Sequence, residues 1–181
     1  MANYVVDASI VIQRLIRQPY TPNAQALFRQ APNPHQLIVP EFCLLECTNV
    51  LWKQVRFFGL PQFQAEQLVK GLRALPLQRA PVKRLLDSAL NIDLKHQITV
   101  YDSVYIRLAI EFGYPLITVD ESQARSASTE GVNLEPITNL RNQPLASPHK
   151  LGAFSPASHG KIRQWCYNRP QLQPFSNVVA G

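Results

Sequence analysis

The stretch from Val100 to Asp120, VYDSVYIRLAIEFGYPLITVD, decides the fold. Val100–Phe112 spaces its apolar side chains as a helix does, and Gly113 follows where a glycine favours a C-terminal cap. Pro115–Val119 is then a short apolar run of the kind found in a strand buried on both faces, and it ends on an acid, Asp120. A helix that feeds a buried strand is one unit of an α/β chain with a parallel sheet.

The alternation extends in both directions. Upstream, Asn3–Val6 is a short β-like run ending at Asp7, and Ser9–Ile16 has helical apolar spacing. Asn23–Gln30 is a second short helix. Gln36–Val39 is another apolar run, stopped by Pro40, and Glu41–Phe58 is a long helix entered through that proline, where proline is tolerated. Gly59-Leu60-Pro61 breaks it before an amphipathic helix over Gln62–Leu75. Leu77–Ala80 is expected as an edge strand, and Pro81 opens a helix to about Leu90. Downstream, Glu121–Glu130 is a short helix ended by Gly131, with Val132–Glu135 as a last strand. No internal repeat interrupts this order.

From about Asn142 the pattern dissolves into Pro, Ser, Gly and Asn, so two regions are expected: a domain over 1–141 and a Pro-rich extension over 142–181. Only Lys161–Tyr167 in the extension is compatible with a helical turn. The net charge is +6, and charge of this sign favours polyanionic partners. Its distribution is uneven. Ala146–Gly181 holds four basic residues (Lys150, Lys161, Arg163, Arg169) and no acid, whereas residues 1–145 hold 14 basic against 12 acidic. With 46% hydrophobic and 17% charged residues the chain can bury a core and is not generally disordered. No apolar run approaches the roughly 18–20 residues that cross a bilayer, so no membrane partner is expected. Met1-Ala2-Asn3-Tyr4 lacks a basic region followed by an apolar stretch. Three cysteines do not make a disulfide framework. Cys43 and Cys47 lie one helical turn apart with no third ligand nearby to complete a zinc site, so they are expected as small buried groups. A cytoplasmic location follows as the expectation.

In a parallel α/β sheet the site lies at the carboxyl ends of the strands. Asp7 and Asp120 each follow a strand directly. Asp102 lies in the first turn of its helix, and Glu46 is five residues after Glu41, about 7.5 Å along the helix axis. All four can reach one edge. Each also has a plain structural reading. Asp7 is a natural helix cap, Asp120-Glu121 suits a helix N-terminus, and Thr99-x-x-Asp102 has capping-box spacing. Glu46 forms a stripe with Asn49 and Lys53 that reads as a wet helix face. Asp102 leans toward the apolar side with Tyr105, Ile106 and Ala109, while Ser103, Arg107 and Glu111 are expected to point elsewhere. Four carboxylates on one edge repel unless something neutralises them. A hard divalent cation does so, and oxygen ligands select Mg²⁺ or Mn²⁺ over zinc. Such a site activates water and stabilises charge on a phosphodiester. Ser9 and Thr118, each two residues from an acid, add hydroxyls able to contact substrate or its water.

These residues carry a resemblance. Val5-Val6-Asp7-Ala8-Ser9 resembles the opening of PIN domains. Val39-Pro40 with Glu46, Asn49 and Leu51 resembles their second motif. Tyr101-Asp102-Ser103-Val104-Tyr105, continuing through Leu108 and Ala109, resembles the third, and Pro115–Asp120 the fourth. The resemblance covers about residues 3–140. It implies a three-layer α/β/α fold around a central parallel sheet of four to five strands. It implies an endoribonuclease that hydrolyses RNA phosphodiester bonds with Mg²⁺ or Mn²⁺ held by Asp7, Glu46, Asp102 and Asp120, with Asn49 beside them. It further implies kinship with VapC-type toxins of type II toxin–antitoxin systems, which are usually homodimers silenced by a small antitoxin. The 142–181 extension departs from that pattern, since such toxins often end soon after the last strand. With Trp165 and Tyr167 it suits either added RNA contacts or an arm packed on protein.

Two other classes compete. A non-catalytic RNA-binding or interaction module on the same fold would be favoured by loss of a quartet acid, and none is lost. A phosphotransfer enzyme with Asp7 as nucleophile needs further residues. Haloacid-dehalogenase-type enzymes carry a second Asp where this chain has Ser9, and receiver domains need an acidic pair and a late lysine that do not occur in place. No glycine-rich phosphate or dinucleotide fingerprint is present.

Overall fold

The computed structural model describes residues 3–30 and 37–140. Four strands are present among the described residues: β1 (Tyr4–Val6), β2 (Leu37–Pro40), β3 (Gln78–Ala80) and β4 (Leu116–Ile117). Seven α-helices accompany them among the described residues: α1 (Ala8–Leu15), α2 (Thr21–Gln30), α3 (Cys43–Phe58), α4 (Gln62–Arg73), α5 (Leu86–His96), α6 (Val100–Phe112) and α7 (Glu121–Thr129). The strands form one sheet in the order β3-β2-β1-β4, and every pairing is parallel. Parallel neighbours need crossovers, and helices supply them. The helices pack in two sets: α1 with α2 and α3, and α3 with α4; then α5 with α6, and α6 with α7, where α6 also lies against β1 and β2. This is the expected α/β arrangement, with four strands.

The sheet is buried where helices cover both faces. Val5, Val6, Leu37, Ile38, Val39, Leu116 and Ile117 are buried. β3 is the edge, as its sequence suggests, and exposes Arg79. Three differences from the sequence reading have local causes. β4 is shorter than Pro115–Val119 because hydroxyls capture the next amides: Val119 N–H donates to Ser9 Oγ at 3.4 Å and Asp120 N–H to Thr118 Oγ1 at 3.0 Å. Val132–Glu135 is not a full strand; it makes one parallel bridge, Leu116 with Leu134, supported by bonds from Leu116 N–H to Asn133 O and from Glu135 N–H to Leu116 O. The helix after Pro81 begins as a 3₁₀ turn over Lys83–Leu85 and runs to His96, beyond Leu90. Its outward Leu90 and Leu94 obscure the periodicity, and Gln97, at φ 54°, ends it in the left-handed conformation usually given to glycine.

Gly59 and Gly113 do end α3 and α6 in that conformation, at φ 74° and 64°. Cys43 and Cys47 are fully buried free thiols. The hydrogen bond with Cys43, and then burial, push the Cys47 thiol well above its usual range. No helix among the described residues is long and apolar enough to cross a membrane. The expected helical turn at Lys161–Tyr167 and the rest of the 142–181 extension lie outside the described residues.

Candidate active site

Three of the four acids stand where a strand or loop hands over to a helix. Asp7 is the N-cap of α1, in extended conformation at φ −71°, ψ 153°, and its Oδ2 accepts the Ser9 N–H at 2.8 Å. Asp120 caps α7, its Oδ1 accepting the Gln123 N–H at 2.8 Å. Asp102 lies in the first turn of α6 behind the cap Thr99. Capping and clustering are therefore the same fact: a short polar cap after a parallel strand is placed at the sheet's carboxyl edge. The fourth acid, Glu46, comes from the first turn of α3.

Asp102, Glu46 and Asp7 each have a proton donor that aims them. Thr99 Oγ1 donates to Asp102 Oδ2 at 2.7 Å while accepting the Asp102 N–H at 3.3 Å. One hydroxyl thus caps the helix and orients the acid. Tyr105, one turn further along α6, donates its hydroxyl to Glu46 Oε2 at 2.8 Å and packs edge-on against Phe42. Burial, reinforced by nearby groups that include Asp7 and Glu46, raises the Tyr105 pKa and keeps that donor protonated. Gln123 Nε2 donates to Asp7 Oδ1 at 3.3 Å.

The electrostatics set this edge apart. Asp7 and Asp102 are 5% and 4% exposed. Burial is the main cause that raises the Asp102 carboxyl to about 8, and Asp7, Asp120 and Glu46 press it upward as well. Burial also raises Asp7, against the lowering effect of its bonds from Ser9 and Gln123. Buried acids that hold one another's protons bind a cation readily, because the ion replaces the proton. Among the described residues no three His, Cys, Asp or Glu side chains already close on one point as a ligand set. The acids share a field while each is turned to its own donor. The all-oxygen donor set fits a hard cation such as Mg²⁺ or Mn²⁺.

The remaining expected site residues are placed differently. Ser9 bonds Asp7 and takes the Val119 N–H, so its hydroxyl ties α1 to the segment after β4. Thr118 holds the Asp120 backbone. Asn49 is exposed on α3, one turn beyond Glu46. Ser103, expected to point away from the core, is fully buried, and its hydroxyl donates to Thr99 O at 3.2 Å. Gln123 was not singled out by sequence. Its signal is weak, a glutamine three residues after a capping Asp, where a surface capping box is the ordinary reading.

Comparison with known proteins agrees with this fold. The family model for the PIN domain matches residues 4–128. The chain is 31% identical over 124 residues to Ribonuclease VapC3 of Pyrobaculum aerophilum, covering 66% of this chain and 91% of that protein. PAE2754 from Pyrobaculum aerophilum superposes with a TM-score of 0.60 at 20% identity, covering 77% of this chain and 93% of that one. FitAcB from Neisseria gonorrhoeae superposes with a TM-score of 0.56 at 14% identity, covering 76% and 99%.

Proposed function

The chain belongs to the PIN-domain family and, within it, to the VapC-type ribonucleases, and from that premise we propose how this site hydrolyses RNA. Asp7, Glu46, Asp102 and Asp120 hold Mg²⁺ or Mn²⁺. The observation that carries this reading is that the groups pressing on the buried Asp102 carboxyl are three other acids. A bound cation supplies Lewis acidity toward a phosphodiester and lowers the pKa of water it holds. The protein's part is to present oxygens. Thr99 aims Asp102, Tyr105 aims Glu46, and the Ser9 amide aims Asp7. Ser9, Thr118 and Asn49 contact the substrate or its water. The nuclease domain is 1–141, and RNA as substrate puts it in the cytoplasm.

The role proposed is the toxin of a toxin–antitoxin pair, with a small antitoxin and a second copy of this chain as partners. Two sets of exposed apolar residues support two protein partners: Trp52, Phe57, Phe58 and Phe63 where α3 turns into α4, and Leu86, Leu90 and Leu94 at four-residue spacing on α5. Exposed apolar residues in such numbers mark interaction surfaces. The four basic residues of the extension track RNA phosphates. Deleting residues 146–181 is expected to weaken RNA binding and flatten its salt dependence; an unchanged slope would make the extension a structural arm.

The deciding experiment is cleavage of tRNA, rRNA and mRNA by purified protein with Mg²⁺ or Mn²⁺, set against EDTA and Asp7→Asn. Cutting that needs the metal and disappears in the variant supports the reading. A folded protein that binds RNA and cuts none of these would favour a binding module.

A further inference from the structure

We propose that Gln123 is a positioning residue of the cation site, its side-chain amide bridging Asp7 to the first turn of α6 and its Oε1 accepting a hydrogen bond from water inside the site. The inference rests on the cation reading above.

Local structure explains why the side chain is available. Gln123 is the third residue of α7, where a glutamine normally folds back onto the cap's own N–H. Here the Asp120 N–H is already taken by Thr118 Oγ1 at 3.0 Å. The Gln123 backbone N–H is taken in turn by Asp120 Oδ1. The side chain is therefore free to turn inward, and it is completely buried. There its Nε2 reaches Asp7 Oδ1 at 3.3 Å and the Asp102 carbonyl oxygen at 3.4 Å. Three elements meet at this nitrogen: the start of α1, the start of α6, and α7. Two of them carry the most buried acids of the site.

The amide's orientation follows from its neighbours. Exchanging Nε2 and Oε1 would set an amide oxygen against a carboxylate oxygen and a carbonyl oxygen, with no proton between them. In the orientation observed, Oε1 is a buried acceptor without a partner among the described residues. Leaving such an atom unpaired is destabilising, and an apolar side chain of the same length would avoid it. A residue kept only for packing would not carry that cost. A residue kept to hold Asp7 in place beside a hydrated ion would, because the ion's environment supplies the missing donor.

The test is calorimetric titration of metal-free full-length protein with Mn²⁺, for wild type, Gln123→Met and Gln123→Asn, with melting curves of each in EDTA. Methionine keeps the length without the donor; asparagine keeps the amide one methylene short. Residues that orient metal ligands typically account for 10–100-fold in affinity, so the Kd for Mn²⁺ is expected to rise by about that factor in both variants. The melting point in EDTA is expected to hold or rise in Gln123→Met. A Kd within about twofold of wild type in a folded variant overturns the proposal, as does a lower melting point with unchanged Kd, the mark of a packing role. Should Gln123→Met not fold, Gln123→Asn decides by the same criteria. Wild-type protein that takes up no Mn²⁺ overturns the cation reading itself, which separates that failure from this one.

Discussion

The two ends of α7 treat their acids in opposite ways. At its start, Asp120 stands with Asp7 and Asp102, and its charge adds to the burial that raises both of those carboxyls. At its end, Glu130 Oε1 meets His96 Nε2 at 2.6 Å and Lys95 Nζ at 2.8 Å, both from the last turn of α5. Those bonds, His96 first, hold the Glu130 carboxyl below its usual range. An anion at a helix C-terminus opposes the macrodipole, and the Lys95 ammonium and the His96 contact offset it. The Glu130 cluster is electrostatically complete and asks for no ligand. The Asp102 cluster is held together by burial and hydroxyl donors while its own charges oppose it. Function is legible in that contrast: only the second arrangement improves when a cation arrives.

The hardest blow to the contrast is Asp102→Asn. It keeps shape and an oxygen for the Thr99 hydroxyl but removes the charge. Cleavage is expected to fall by about a thousandfold, near 4 kcal/mol in the barrier. The melting point in EDTA at neutral pH should hold or rise, because the folded chain no longer has to keep a proton that the unfolded chain releases. Full activity in this variant would end the site assignment.

The second test is pH. An ordinary aspartate ionises near 3.8, whereas burial and the neighbouring acids push Asp102 in the fold up to about 8. Between those values the folded chain keeps a proton that the unfolded chain has released, so stability falls as pH rises. The slope for one such group is at most about 1.4 kcal/mol per pH unit. Metal-free protein should therefore melt higher near pH 5 than near pH 8. Saturating Mn²⁺ should flatten or reverse the trend, and Asp102→Asn should lose Asp102's share of it. A slope equal in wild type and variant would show that other groups set it.

A third and smaller effect concerns aim. Tyr105→Phe removes the hydroxyl that holds Glu46 but leaves the ring against Phe42. Cleavage is expected to drop about tenfold, in keeping with loss of a hydrogen bond to a charged group. The melting point should move little, since the half-buried Glu46 can turn to water.

The acids were legible in sequence because their positions follow from chain geometry. Asp7 and Asp120 end apolar runs, and Asp102 opens a helix whose cap, Thr99, is visible three residues before it. The sheet was legible because Val5, Val6, Leu116 and Ile117 sit in uninterrupted apolar runs. Residues that act through three-dimensional contact were not. Ser103 looks solvent-facing by periodicity, yet it is buried because the Thr99 carbonyl accepts its hydroxyl. Gln123 looks like a surface cap, and only the capture of the Asp120 amide by Thr118 turns it inward. The length of α5 was hidden because Leu90 and Leu94 face outward and break the one-sided pattern.

The mildest test addresses the other end of α7. Glu130→Gln keeps an acceptor for His96 and Lys95 and removes the charge. Pairs this close to solvent contribute about 0–1 kcal/mol, so the loss at neutral pH should stay within that range. The sign with pH is opposite to that of Asp102. Because the folded Glu130 carboxyl is lowered, its stabilisation is present above the ordinary glutamate value of 4.5 and lost as pH falls through the folded value. The melting curves of wild type and variant should therefore differ at pH 7 and converge in acid, while Mn²⁺ affinity and cleavage stay at wild-type levels. A change in Mn²⁺ affinity would mean that α7 transmits charge from one end to the other, and the two acid clusters would no longer be separable.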